Sequence, residues 1–315
     1  MPAAHSLGHP AFLVGAERSG TTVFRLMLSG HPELCWVNEF ELAVDQVGAG
    51  GWPDLEGYYE FLSTHRIARA MGYEIDRSLA YPELVQSFLE QRRSKSGKPY
   101  VGATVHRNFH RLPRLWPQAR YIHLVRDPRD VAPSCIAMGW SGNVWTAVER
   151  WLHAEQIWED LARTLPEDRR LEVRYEALIC EPERELRRTC AFLGVPFDPA
   201  MLDYPRQSTY SSPDPKLIEQ WRKKLSSREV RLVESRVAHL LQARGFAPSG
   251  EPALSVGPLE VIGFRLQDRI ARVRHRVRVF GLPLVAEEYA SRLGSRSWHR
   301  SVRLRMNAIQ QANLK

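Results

Sequence analysis

The stretch AFLVGAERSGTTVFRLML, residues 11 to 28, constrains the fold more than any other part of the chain. A short apolar run is stopped at Gly15, and a helical pattern carrying Phe24, Leu26 and Leu28 begins at about Gly20 and runs to His31-Pro32. This is a strand, a tight glycine loop and a helix. YVGAT (100 to 104), RYIHLV (120 to 125) and RLEVRYE (170 to 176) read as further strands. Residues 55 to 71, 82 to 93, about 144 to 165, and 182 to 193 read as helices. Strands alternating with helices predict an α/β architecture: a three-layer, P-loop-like fold with a central parallel sheet.

Gly15 and Gly20 bracket four residues, as in the nucleotide loop G-x-x-x-x-G-K-[ST], but Thr21 stands where that loop has its lysine. Such a loop aims backbone N–H groups at one point, and the helix N-terminus adds partial positive charge, so an anion is favoured there. Gly20 lets the backbone approach the ligand, and Ser19, Thr21 and Thr22 offer hydroxyls. Arg18 adds a fork suited to phosphate or sulfate oxygens. Without the lysine, triphosphate chemistry fits poorly, and a less charged group handled without magnesium fits better.

RDPRDVAPS is the second chemical element. Arg126 ends a buried strand, at the edge where open α/β sheets bind ligands, and Ser134 lies eight residues on in a helix. Asp127 as N-cap, Pro128 at the first helical position and Asp130 in the first turn give that helix good start chemistry. Arg126 and Ser134 can grip a second phosphate. Alternatively, Arg126 pairs with Asp130 or Asp127 and Ser134 is simply buried.

Together these elements resemble the sulfotransferases that use 3′-phosphoadenylyl sulfate (PAPS), RSGTT and HPE being most like the protein-tyrosine and bacterial branch. RDPRDVAPS is similar to that family's 3′-phosphate motif, and RYEALICEPERELRRTCAFLGVPF to its third landmark. The resemblance covers roughly residues 10 to 246. It implies that Arg18, Ser19, Gly20, Thr21 and Thr22 hold the 5′-phosphosulfate. Arg126 and Ser134 would hold the 3′-phosphate, and Tyr175 would lie toward the adenine. The segment Trp221-Arg222-Lys223-Lys224 resembles a late cofactor-covering region, and is alternatively a solvated helix face. No metal is expected.

In the resembling branch a Glu shortly after the first helix is the general base, and Glu39 of WVNEFE matches that position. Glu41, two residues on, shares a face with it if the segment is extended. An apolar cleft beside Trp36 and Phe40 would raise a carboxylate's pKa toward neutrality. Related small-molecule sulfotransferases place a His base in the stretch that here reads VGATVHRNFH, making His106 the rival. Many bacterial relatives also carry a Lys-Thr-Pro there. This chain has no such lysine, and Arg107 or His106 is left to supply the cation.

The acceptor is expected to be a hydroxyl on a small molecule, lipid or glycan, with Trp52, Tyr58, Tyr59, Trp140 and Trp145 as pocket candidates or as core. The alternatives are a P-loop kinase or triphosphatase with a degenerate loop, and a non-enzymatic nucleotide or nucleic-acid binder.

Charge separates the chain into parts. From 256 to 315 there are twelve Lys and Arg against four Asp and Glu, which accounts for the whole net charge of +8 over 315 residues. The expected organisation is a sulfotransferase domain over 1–246, a linker over 247–258 and a basic helical extension over 259–315. RIARVRHRVRV in that extension has both alternating Val positions and a helical face, and helix is preferred. The extension lacks the interleaved aromatics of a single-strand platform, so nucleic acid is not expected. It packs on the core as a solvated helix, or contacts an anionic surface such as lipid. The four cysteines, at 35, 135, 180 and 190, form no C-x-x-C pair, and no secretory signal is visible. A reduced, cytoplasmic setting is expected.

Overall fold

The computed structural model describes residues 9–313. Five strands form one parallel sheet: β1 (Ala11–Val14), β2 (Leu34–Val37), β3 (Tyr100–Val105), β4 (Arg120–Val125) and β5 (Arg170–Arg174), in the order β2-β3-β1-β4-β5. β1 is central, pairing Ala11 with Gly102 on one side and with Arg120 on the other. Its four residues are all buried, as expected for a strand covered on both faces. One apolar layer contains Phe12, Val14, Phe40, Tyr121 and Trp151; the other contains Leu13, Phe24, Met27, Ile122 and Leu124. Successive β1 side chains therefore alternate between two cores, which makes the three-layer arrangement.

Several elements differ from the sequence reading. Leu34–Val37 is a strand, although its four residues are too few to show a period. The strand expected to reach residue 176 ends at Arg174, and Tyr175 opens the Tyr175–Cys180 helix. The helix over 55 to 71 divides at His65, whose imidazole caps the second piece by accepting from Ala68 N.

The helix α1 (Thr21–Gly30) follows the glycine loop. Beyond its C-terminus, the Lys98 ammonium donates to the carbonyls of Ser29, His31 and Leu34 at 2.8, 2.7 and 3.1 Å, a good match for the negative end of a helix. On the opposite flank, His123 of β4 is fully buried between Glu155 and Glu172, each at 3.1 Å, and stacks on Trp158.

The basic C-terminal region forms three helices, Pro258–Phe280, Leu282–Ser291 and Arg296–Asn313, and RIARVRHRVRV lies inside the first. Buried Asp268 fastens that helix: its Oδ1 accepts from Gly142 N at 2.8 Å, Thr146 Oγ1 at 3.0 Å and Ser141 Oγ at 3.1 Å. Phe264 stacks on Trp145, and Asn307 donates to the Thr64 carbonyl at 2.7 Å.

Candidate active site at the carboxyl edge of the sheet

The loop between β1 and α1 crosses the carboxyl ends of β1 and β4. Gly15 has φ 143°, and a Cβ there would lie 2.3 Å from the Leu124 carbonyl oxygen. Gly20 has φ 95°, and its Cβ would lie 2.3 Å from the Tyr175 ring. Both positions need glycine for conformation and for space. Between them Arg18 also takes a left-handed conformation, φ 70°, a cost that non-glycine residues bear mostly at functional sites. The Ser19 hydroxyl is fully buried with no hydrogen-bond partner. α1 begins at Thr21 with no side-chain cap and no acidic residue in its first turn, so its positive end stays uncompensated. Thr22 follows on the same turn, half-buried.

The second motif meets this loop directly. Arg18 Nε donates to Ser134 Oγ at 3.0 Å, joining residues 116 positions apart. Arg126 leaves the end of β4 with its carbonyl held by Trp151 Nε1 at 2.8 Å. Its guanidinium lies 4.2 Å from the centre of the Tyr175 ring and donates to the carbonyls of Arg18 and Leu217 at 3.4 and 3.2 Å. Arg126 Nε is buried with no partner. The Pro128–Ala137 helix starts as its sequence predicts, the Asp127 side chain accepting from Arg129 N at 2.8 Å.

The competing pairing of Arg126 with Asp130 is present but long, at 3.8 Å. The short bond of Asp130 is the one its Oδ1 accepts from Trp221 N, at 2.7 Å. Burial pushes the Asp130 pKa up, against the opposing charge of Arg126. Asp130 thereby ties the Trp221–Lys224 turn beside the second motif, with Trp221 itself buried under the Arg129 guanidinium at 4.0 Å. The Leu217 carbonyl and the Arg129–Asp127–Glu234 cluster were not singled out from sequence, and nothing local in the sequence signals them.

Glu39 and Glu41 do not share a face. Past β2 the chain stops being extended: Phe40 N donates to the Thr104 carbonyl at 2.7 Å, and a 3₁₀ turn begins at Glu41. Glu39 has φ 23° and is partly exposed, with Arg66 at 3.4 Å. Glu41 is buried, and its Oε1 accepts from His106 N at 2.9 Å and lies 2.7 Å from His106 Nδ1. The other ring nitrogen, Nε2, is 3.0 Å from Thr21 Oγ1. The three groups form a line from the buried carboxylate to the mouth of the loop.

Burial alone would lower the His106 pKa, but the hydrogen bond and charge of Glu41 outweigh it, with Glu17 and Glu39 adding, and the net shift is upward. Burial likewise acts to raise Glu41, and the imidazole more than reverses it, leaving the carboxylate shifted down. Each group thus favours the charged form of the other. Arg107, the other candidate cation, is engaged elsewhere: its Nη2 and Nε lie 2.6 and 3.0 Å from the two Asp45 oxygens.

Of the candidate pocket aromatics, Tyr58 and Tyr59 are core, and Tyr58 donates to the Leu42 carbonyl. Trp52 stacks on Tyr81 and Trp145 on Phe264. Trp140 alone among them contacts the loop, with Arg18 at 5.8 Å and Arg150 at 5.2 Å from its ring centre. Among the described residues no group of three or more His, Cys, Asp and Glu is placed to hold a metal ion.

Residues 10–199, more than half of the chain, match the Sulfotransferase family. The chain belongs to that family. This sulfotransferase is 27% identical to protein-tyrosine sulfotransferase A of Caenorhabditis elegans over 201 residues, covering 61% of this chain and 52% of the relative. It is also 27% identical to nodulation protein NoeE of Sinorhizobium fredii (strain NBRC 101917 / NGR234), covering 89% of this chain and 77% of the relative. The chain spans about half the length, or less, of the protein-tyrosine sulfotransferases it matches first. Among solved structures, the sulfotransferase domain from the curacin biosynthetic pathway superposes with a TM-score of 0.50 at 20% identity, covering 73% of this sulfotransferase and 97% of that domain. The two share a fold.

Proposed function

We propose that this sulfotransferase moves a sulfuryl group from PAPS to a hydroxyl acceptor. The observation that carries the reading is the meeting of the two motifs, Arg18 against Ser134, with two buried polar atoms beside them, Ser19 Oγ and Arg126 Nε, that have no partner in the protein. Buried polar groups are almost always satisfied, so these atoms suit an anionic ligand with two charged ends.

Arg18, the loop amides, Ser19, Thr21 and Thr22 would hold the phosphosulfate, and Gly20 would let it approach the backbone. Arg126 and Ser134 would hold the 3′-phosphate. The Tyr175 ring, fixed between Gly20 and Arg126, forms the wall toward the adenine. In the transfer, the acceptor oxygen forms a bond to sulfur while the sulfur–oxygen bond to the 5′-phosphate breaks, releasing adenosine 3′,5′-bisphosphate. The acceptor proton passes to the Glu39 carboxylate. Arg18 and the α1 N-terminus are preorganised donors for the negative charge that develops on the departing phosphate.

His106 is the rival for the base, but both of its ring nitrogens are already engaged, Nδ1 with Glu41 and Nε2 with Thr21 Oγ1. Its position against Thr21 suits it instead to supply, through that hydroxyl, the positive charge that a lysine gives in related enzymes. The acceptor is a small-molecule, lipid or glycan alcohol or phenol.

Calorimetry with PAPS in the presence of a metal chelator, followed by an acceptor screen read as transfer of radiolabelled sulfate, tests the reading. Binding without magnesium, followed by turnover, is expected. No affinity for PAPS or for its desulfated product overturns the proposal, and magnesium-dependent turnover of ATP in its place establishes a degenerate P-loop kinase or triphosphatase.

A further inference from the structure

The Pro258–Phe280 helix turns one face to the protein and leaves another uncovered. Its inner face carries buried Asp268, Phe264 on Trp145, and Ala271 and His275 packed against Gly142 and Gly139. On the outer face Leu259, Ile262, Leu266, Ile270 and Val273 are 83%, 61%, 58%, 43% and 39% exposed. At 3.6 residues per turn these five fall within an arc of about 80°, centred opposite the buried face. Nothing lies within 4 Å of a Cβ built on Gly263, which sits beside the same stripe. An uncovered apolar stripe on a helix needs an occupant.

The charges beside the stripe identify that occupant. Arg265 and Arg269 flank it on one side and Arg274 and Arg278 on the other, and none of the four forms an ion pair among the described residues. The acidic residues of the helix are already engaged: Asp268 with Arg272 at 2.8 Å, Glu260 with Arg228 at 2.9 Å. A second copy of the chain would bring guanidinium against guanidinium around the seam. An apolar stripe edged on both sides by unpaired arginines matches an anionic bilayer, with the alkyl groups below the headgroup plane and the guanidiniums at it.

We infer that this helix docks the protein, lying flat, on an anionic membrane surface. The contact is independent of sulfuryl transfer and is measured without it. The full chain is sedimented with phosphatidylcholine vesicles and with vesicles containing roughly one-third phosphatidylglycerol, at low and at high salt. Binding to the anionic vesicles alone, weakened at least ~10-fold by salt, is expected. Leu266→Ser/Ile270→Ser should weaken the partition by more than ~10-fold. Arg269→Gln and Arg274→Gln should weaken it about 5-fold each. All these side chains point outward, so the thermal midpoint should not move. The inference fails if wild type does not sediment with anionic vesicles, or if the substituted proteins bind as wild type does. It also fails if the protein is a dimer in solution that Leu266→Ser/Ile270→Ser makes monomeric, because the stripe would then be a self-association seam.

Discussion

At position 39 the backbone turns left-handed, and at position 41 a 3₁₀ turn begins, so two glutamates of one short segment meet different surroundings. Glu39→Gln should lower kcat by about 10²–10⁴-fold while leaving PAPS affinity within a few-fold, measured by radiolabel transfer and calorimetry. Full activity in that variant would remove Glu39 from the mechanism. Arg18→Ala should cost about 10²–10³-fold in kcat and weaken PAPS binding as well, since in the proposed mechanism the guanidinium would serve both ground state and transition state. That Arg18, Ser134 and Arg126 come together could be expected from sequence because each lies at a fixed place in one of two local motifs at the sheet edge. The Glu41–His106 pair could not, because it joins residues 65 apart through a turn that no local pattern announces. The period-two argument for Glu39 and Glu41 failed for the same reason: Phe40 pairs with Thr104 and bends the chain between them.

Among the elements, the glycine loop and its flanking strand and helix follow from sequence with little ambiguity, because apolar run, glycine and helical period all agree. Gly20→Ala tests how tightly that unit is built. The substituted residue would hold φ near 95° and press on Tyr175, costing on the order of 1–3 kcal/mol in unfolding free energy and most of the PAPS affinity. A variant as stable and as tight-binding as wild type would mean that the loop has slack. β2 escaped notice because four residues between a helix and a turn are too few to display a period, and its pairing with β3 comes from the sheet rather than from its own sequence. The C-terminal helix was ambiguous between two periods, and packing through Asp268 on one face decides it. Asp268→Ala leaves Gly142 N, Ser141 and Thr146 without their shared acceptor and should cost about 1–3 kcal/mol, with faster amide exchange across Pro258–Phe280 than elsewhere.

For the whole molecule, two buried histidines contribute to how stability responds to pH. His106 and His123 both have folded pKa values above the ordinary 6.5: burial opposes the charge, but Glu41 in one case, and Glu155 with Glu172 in the other, outweigh it. A raised folded pKa means that their contribution is complete below about 6.5 and is lost as pH rises through the folded values. Thermal unfolding midpoints should therefore fall as pH climbs above 6.5, and the slope should flatten in His106→Gln/His123→Gln. An unchanged slope would show that neither histidine is charged in the native state. The bond from Arg18 to Ser134 acts at the same scale, because it spans the cleft between the two motifs. On the proposed reading, a nucleotide that takes Arg18 at its 5′ end and Ser134 at its 3′ end would trade that clasp for contacts of its own. A donor with charge at both ends would replace what it breaks, whereas adenosine 5′-phosphosulfate, lacking the 3′-phosphate, would sever the clasp and leave Ser134 with nothing in return. Selection against that shorter precursor would thus be written into a latch, and competition binding with the two nucleotides would read it directly.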